Sequence, residues 1–125
     1  MKTILYTNGF CNTGEKLEVI IHEQLPEINS KVHNSIESLS EVLRQPLNKV
    51  SVVVLIISKV DELIHFNSMK MLFDNLRVIL ILPNRNKETL GFSLKFKTSF
   101  ISFIDRDLQD VTSVLAQILK KQGEV

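Results

Sequence analysis

Five short apolar runs, each of strand length, alternate along this chain with segments whose apolar residues recur every three or four positions. The first run, Lys2–Thr7, stops at Asn8-Gly9, a turn pair. Asn12-Thr-Gly-Glu15 has the spacing of a capping box, and Leu17, Ile20, Ile21 and Leu25 follow at helical spacing until Pro26. Ile28–His33 alternates, with Ile28, Ser30 and Val32 on one side, which predicts a weakly covered edge strand. Asn34-Ser-Ile-Glu37 repeats the cap spacing and opens a stripe of Ile36, Leu39, Val42 and Leu43 that ends at Gln45-Pro46.

Val50–Ile57 is apolar nearly throughout, the pattern of a strand covered on both faces of a parallel sheet. Ser58-Lys-Val-Asp61 is a third cap signature, with Ser58 as N-cap, and predicts a helix carrying Leu63, Ile64, Met71 and Leu72 inward. Arg77–Leu82 is a second doubly covered strand, closed by Pro83-Asn84, and Phe100–Ile104 is the fifth run. Asp107 caps a final stripe of Leu108, Val111, Leu115, Ile118 and Leu119 before Gly123. Between the fourth and fifth strands, Leu90, Phe92, Leu94 and Phe96 alternate at period two, yet parallel strands need a crossover of about a dozen residues, so a short helix is expected near 86–93.

Five repeats of strand and helix predict an α/β three-layer sandwich with helices on both faces of a five-stranded parallel sheet. The two most apolar strands, the third and fourth, belong inside and the second at an edge, which gives the order 2-1-3-4-5. Residues 1–125 read as one domain, within the usual range of about 100–150 residues. Net charge is +1, so bulk electrostatics supply no case for nucleic acid or an anionic membrane. The longest unbroken apolar run, Val52–Ile57, falls far short of the roughly 20 residues that cross a bilayer. A single cysteine forms no internal disulfide and fits a reducing cytoplasm.

Ligands of such sheets bind beyond the carboxyl ends of the strands, where the first and third diverge. That places Thr7–Thr13, Ser58–Val60, Pro83–Asn84 and Asp105–Arg106 at the expected site. The strand K-T-I-L-Y-T, the passage L-R-Q-P-L-N-K-V-S-V-V-V-L and the ending F-I-S-F-I-D-R-D-L-Q-D-V resemble a bacterial response-regulator receiver domain of two-component signalling, a flavodoxin-like fold. In that family, paired acids after the first strand hold Mg²⁺, an aspartate after the third is phosphorylated, and a Ser/Thr and a lysine follow the fourth and fifth. Here those positions read Thr7-Asn8-Gly9, Ser58, Pro83 and Asp105. A hard cation wants several carboxylate oxygens, and an acyl phosphate needs an attacking carboxylate beside a positive group. The resemblance is therefore to a degenerate pseudo-receiver, and it implies regulation by protein–protein interaction without catalysis, cofactor or aspartyl phosphate.

Two alternatives concern the first loop. Gly9 and Gly14 have phosphate-loop spacing, but Glu15 stands where that motif needs lysine, and it occupies the positive helix end. Asn8, Gly9, Cys11, Asn12, Thr13 and Gly14, with Ser58, nonetheless form a candidate ligand loop whose amides suit a small anion. Cys11 is placed after the first strand like the cysteine of sugar-phosphotransferase B-type subunits, a resemblance in placement alone that implies a phosphocarrier thiol. His22, His33 and His65 lie on separate elements without metal-ligand spacing. Asp105, Asp107 and Asp110 read as a cation cluster or as helix-start acids.

Phe92, Phe96, Phe100 and Phe103 are four of the seven phenylalanines. Some belong to the core; Phe92 and Phe96, interleaved with Lys95 and Lys97, form with Asp105 and Arg106 a candidate interaction surface. In receivers the face of the fourth helix, fifth strand and fifth helix docks partners or a second copy, which is the partner that the resemblance implies.

Overall fold

The computed structural model describes residues 2–45 and 50–123. Five parallel strands, β1 (Lys2–Tyr6), β2 (Asn29–His33), β3 (Val50–Ile56), β4 (Arg77–Leu82) and β5 (Phe100–Phe103), pair in the order β2-β1-β3-β4-β5. Helices α1 (Thr13–Gln24), α2 (Ile36–Arg44), α3 (Val60–Ser68) and α4 (Lys87–Ser93) make the crossovers, with a 3-10 segment at Lys70–Phe73 between α3 and β4, and α5 (Gln109–Gly123) follows the last strand. This is the flavodoxin-like α/β sandwich expected from the alternation of runs. Residues 46–49, which include the Pro46 expected to end the second helical stripe, lie outside the described residues.

Each sheet face has its own apolar layer because alternate strand residues point to opposite sides. Ile4, Tyr6, Val53, Leu55, Val78 and Leu80 meet Leu39 and Leu43 of α2, Leu63 and Phe66 of α3, and Phe73 and Phe96. On the other face Leu5, Val52, Val54, Ile79 and Ile81 meet Leu17 and Ile21 of α1 and Val111 and Leu115 of α5. The crossover over residues 84–99 is helical, as its length demands, because a strand there would leave β4 and β5 unconnected in parallel.

Several local expectations are corrected. Asn12 flanks α1 but makes no side-chain cap, so the box with Glu15 does not form. Ser35, not Asn34, caps α2, its hydroxyl accepting from the Ser38 amide at 3.1 Å. The N-cap of α3 is Lys59 rather than Ser58. Ile64 and Met71, expected to face inward, are exposed: Ile64 lies on the outer side of α3, whose inner side is Leu63 and Phe66, and Met71 falls in the tighter 3-10 segment after Ser68, where the stripe loses its phase. Asp107 does support the start of α5, its carboxylate accepting from the Gln109 amide at 3.0 Å.

Candidate functional site

The carboxyl ends of β1 and β3 carry a connected polar network. Gly9, at φ +84°, turns the chain out of β1, and the Asn8 carboxamide oxygen accepts from the Phe10 amide at 2.9 Å. The Asn8 Nδ2 donates to Ser58 Oγ at 2.7 Å, which ties the loop after β1 to the loop after β3. Gly14 is buried where α1 crosses Thr7; a Cβ there would stand 2.8 Å from the Thr7 methyl, so only glycine lets α1 approach β1 this closely.

Beneath this loop lies a carboxylate that sequence reasoning missed. Glu62, two residues into α3 from Val60, folds back over its own helix start. Its Oε1 accepts from the Ser58 amide at 2.7 Å, the Ser58 hydroxyl at 2.5 Å and the Lys59 amide at 3.2 Å. Its Oε2 accepts from the Tyr6 hydroxyl. Glu62 is 9% exposed and Tyr6 2%, and Tyr6 also meets the Phe66 ring edge-on at 5.0 Å. Burial, together with the adjacent Glu62 carboxylate, pushes the Tyr6 phenol above its ordinary range.

A buried carboxylate is tolerated when its lone pairs are filled, and here the helix-start amides, a hydroxyl and a phenol fill them. An oxygen that already accepts three bonds is not placed to attack phosphorus or to ligate a cation. Ser58 likewise has its hydroxyl proton on Glu62 and its lone pair on Asn8, so the pair positions a loop instead of presenting a nucleophile.

The other carboxyl-edge residues are paired among themselves. Arg85 bonds Asp105 at 2.7 Å while its guanidinium stacks 3.9 Å above the Phe103 ring, and this bond holds the Asp105 carboxyl below its usual range. Arg106 bonds Asp110 at 2.7 Å, one turn along α5. The acids expected to cluster are thus held apart, Asp105 on Arg85, Asp110 on Arg106 and Asp107 on the Gln109 amide, and among the described residues no three His, Cys, Asp or Glu converge as a metal set. Cys11 is half-buried with its thiol toward the Thr13 hydroxyl at 3.1 Å; Thr13 is itself buried, while Asn12 is exposed.

The expected interaction surface comes apart. Phe96 is 7% exposed and sits in the core, edge-on to Phe73 at 6.0 Å, so it offers no surface. The reason is geometric: α4 ends at Ser93, and Phe96 lies beyond it in a turn whose amide bonds the Ser93 carbonyl at 3.2 Å, so its side chain does not continue the face that carries Phe92. Phe92 stays half-buried under the Lys95 ammonium at 4.5 Å, and Leu94 is the apolar residue left outside, 78% exposed. Lys95 and Lys97 are exposed but face the opposite end of the sheet from Asp105 and Arg106, lining a cleft with Arg77 and Ser99 at the strands' amino ends.

His33, at the end of β2, is buried, with Nδ1 2.7 Å from the Ser38 hydroxyl and Nε2 without a partner. Burial, then Lys31 and Lys2, lowers its pKa, so the ring is held neutral. No helix among the described residues is long and apolar enough to cross a membrane. No protein-family model matches the sequence, and a search of curated proteins returned no match.

Proposed function

We propose that this chain is a non-catalytic, receiver-like regulatory domain that acts by binding a protein partner or a second copy of itself, and that it is not phosphorylated on aspartate. The observation that carries the reading is the state of Glu62: this carboxylate at the carboxyl ends of β1 and β3 is buried and bonded to Tyr6, Ser58 and Lys59. Its neighbour Asp61 is exposed on α3 and Lys59 meets it through the backbone amide, while Asp105 stands bonded to Arg85 where a receiver places its lysine. The partner surface is the face of α4, β5 and α5, where Leu94 is exposed and Phe92 and Phe103 lie half-covered by Lys95 and Arg85. β5 is also an edge strand of four residues, open to pairing on its outer side.

Incubation with Mg²⁺ and a small phosphodonor is expected to add no mass, and beryllofluoride is expected to move no amide resonance at Ser58, Pro83-flanking or Asp105 positions. Stoichiometric labelling of a carboxylate overturns the reading. Leu94→Glu, in place of any change at the buried Phe96, is the variant that tests the surface by light-scattering mass.

A further inference from the structure

At the amino ends of β4 and β5, away from the network around Glu62, a cleft of about 480 Å³ opens between the 3-10 segment, the start of β4 and the loop after α4. Four cations line it: Lys70, Arg77, Lys95 and Lys97, against one acid, Asp74. Among the described residues none of the four has a carboxylate within salt-bridge reach, whereas Arg85 and Arg106 at the other edge are both paired. Below the charges lie Phe73 and Phe96, whose packed rings make a dry base. The Thr98 and Ser99 hydroxyls and the Asn75 amide stand at the rim. Arg77 and Ser99 also border a smaller hollow that reaches Lys121 of α5.

Like charges gathered from three separate elements repel one another and are costly to assemble unless an anion joins them, and a low-dielectric base strengthens each attraction. We infer that this cleft is a binding site for a small anion carrying two or more phosphate groups. Concavity and volume favour a compact ligand over a macromolecule, since stable protein interfaces need broad patches and this one is a pit in the range of small-ligand sites. Arginine offers a planar fork to one phosphate and the lysines act as point charges on the others. The inference shares Lys95 with the partner-binding reading but uses neither Leu94 nor β5's free edge, so Leu94→Glu tests that reading without touching the cleft.

Tripolyphosphate, titrated at low ionic strength and followed by calorimetry and amide NMR, tests it. Saturable one-site binding is expected, with shifts confined to Lys70–Arg77 and Lys95–Ser99. Arg77→Glu and Lys97→Glu should each weaken binding by about tenfold or more, while Lys16→Glu at the opposite edge changes it by less than about twofold. Both replaced side chains are exposed, so unchanged circular dichroism establishes that the variants fold. Absence of saturation, shifts spread evenly over Lys16, Arg106 and Lys120, or equal binding by the Lys97→Glu variant overturns the site. So does preference for a glutamate-rich peptide over tripolyphosphate, which would make the cleft a protein-docking surface.

Discussion

Glu62 owes its position to the orphan amides of a helix start. The first N–H groups of a helix need acceptors, and a carboxylate at the third position reaches back to supply one. Here the same group collects a serine hydroxyl and a phenol, which joins α3 to β1 as well as to its own cap. Removing the phenol by Tyr6→Phe leaves a buried Glu62 oxygen short of a donor and is expected to cost about 1–2 kcal/mol in urea unfolding, and Glu62→Ala, which strands several donors, about 2–3 kcal/mol. If the two losses simply add in the double variant, the bond between them is not the source of the effect. Sequence gives little warning of this arrangement. Asp61 and Glu62 are adjacent, and both Ser58-x-x-Asp61 and Lys59-x-x-Glu62 fit a capping frame. Which acid folds back depends on where the helix begins, and Tyr6 lies 56 positions away.

At the scale of elements, the pattern of runs was far more informative. Val52–Ile57 and Val78–Leu82 are apolar on both faces, which only interior parallel strands require, and the mixed Asn29–His33 could only be an edge. Boundaries and interhelical detail were not legible, because Phe92 and Phe96 satisfy a strand period and a helix period alike. What the packing adds is a chain of edge-to-face rings, Tyr6–Phe66–Phe73–Phe96, at 5.0, 6.1 and 6.0 Å, running from β1 to the loop after α4. Helix approach elsewhere is set by glycine. Gly14→Ala is expected to destabilise by about 1–3 kcal/mol, since its Cβ meets the Thr7 methyl at 2.8 Å. Gly91→Ala, in α4 with open space around it, is expected to stabilise by about 0.5–1 kcal/mol. Equal effects of both on thermal unfolding would contradict this packing.

Across the whole molecule, parallel topology points all five helices the same way, so their ends sort charge. First turns carry Glu15, Glu37, Asp61 with Glu62, Glu88 and Asp110; last turns carry His22, Arg44, His65 and Lys120 with Lys121. The carboxyl edge is acidic and the amino edge basic, a polarity that a net charge of +1 conceals. Stability is bracketed by two buried rings at the carboxyl edge. The lowered pKa of His33 means its contribution is present above the unfolded value of about 6.5 and lost as pH falls from there toward the folded value. The raised pKa of Tyr6 means its contribution is present below about pH 10 and lost as pH rises through the higher folded value. Urea midpoints plotted against pH should fall on both flanks, and His33→Gln should flatten the acid flank while Tyr6→Phe flattens the alkaline one. An unchanged profile in either variant removes that ring as the cause.

Because the sequence holds a single tyrosine and no tryptophan, the group that seals Glu62 is also the molecule's one near-ultraviolet reporter of its kind. Spectrophotometric titration in the alkaline range therefore follows one phenolate without labelling. Any partner or ligand that loosens the crevice announces itself as an earlier colour change of that ring.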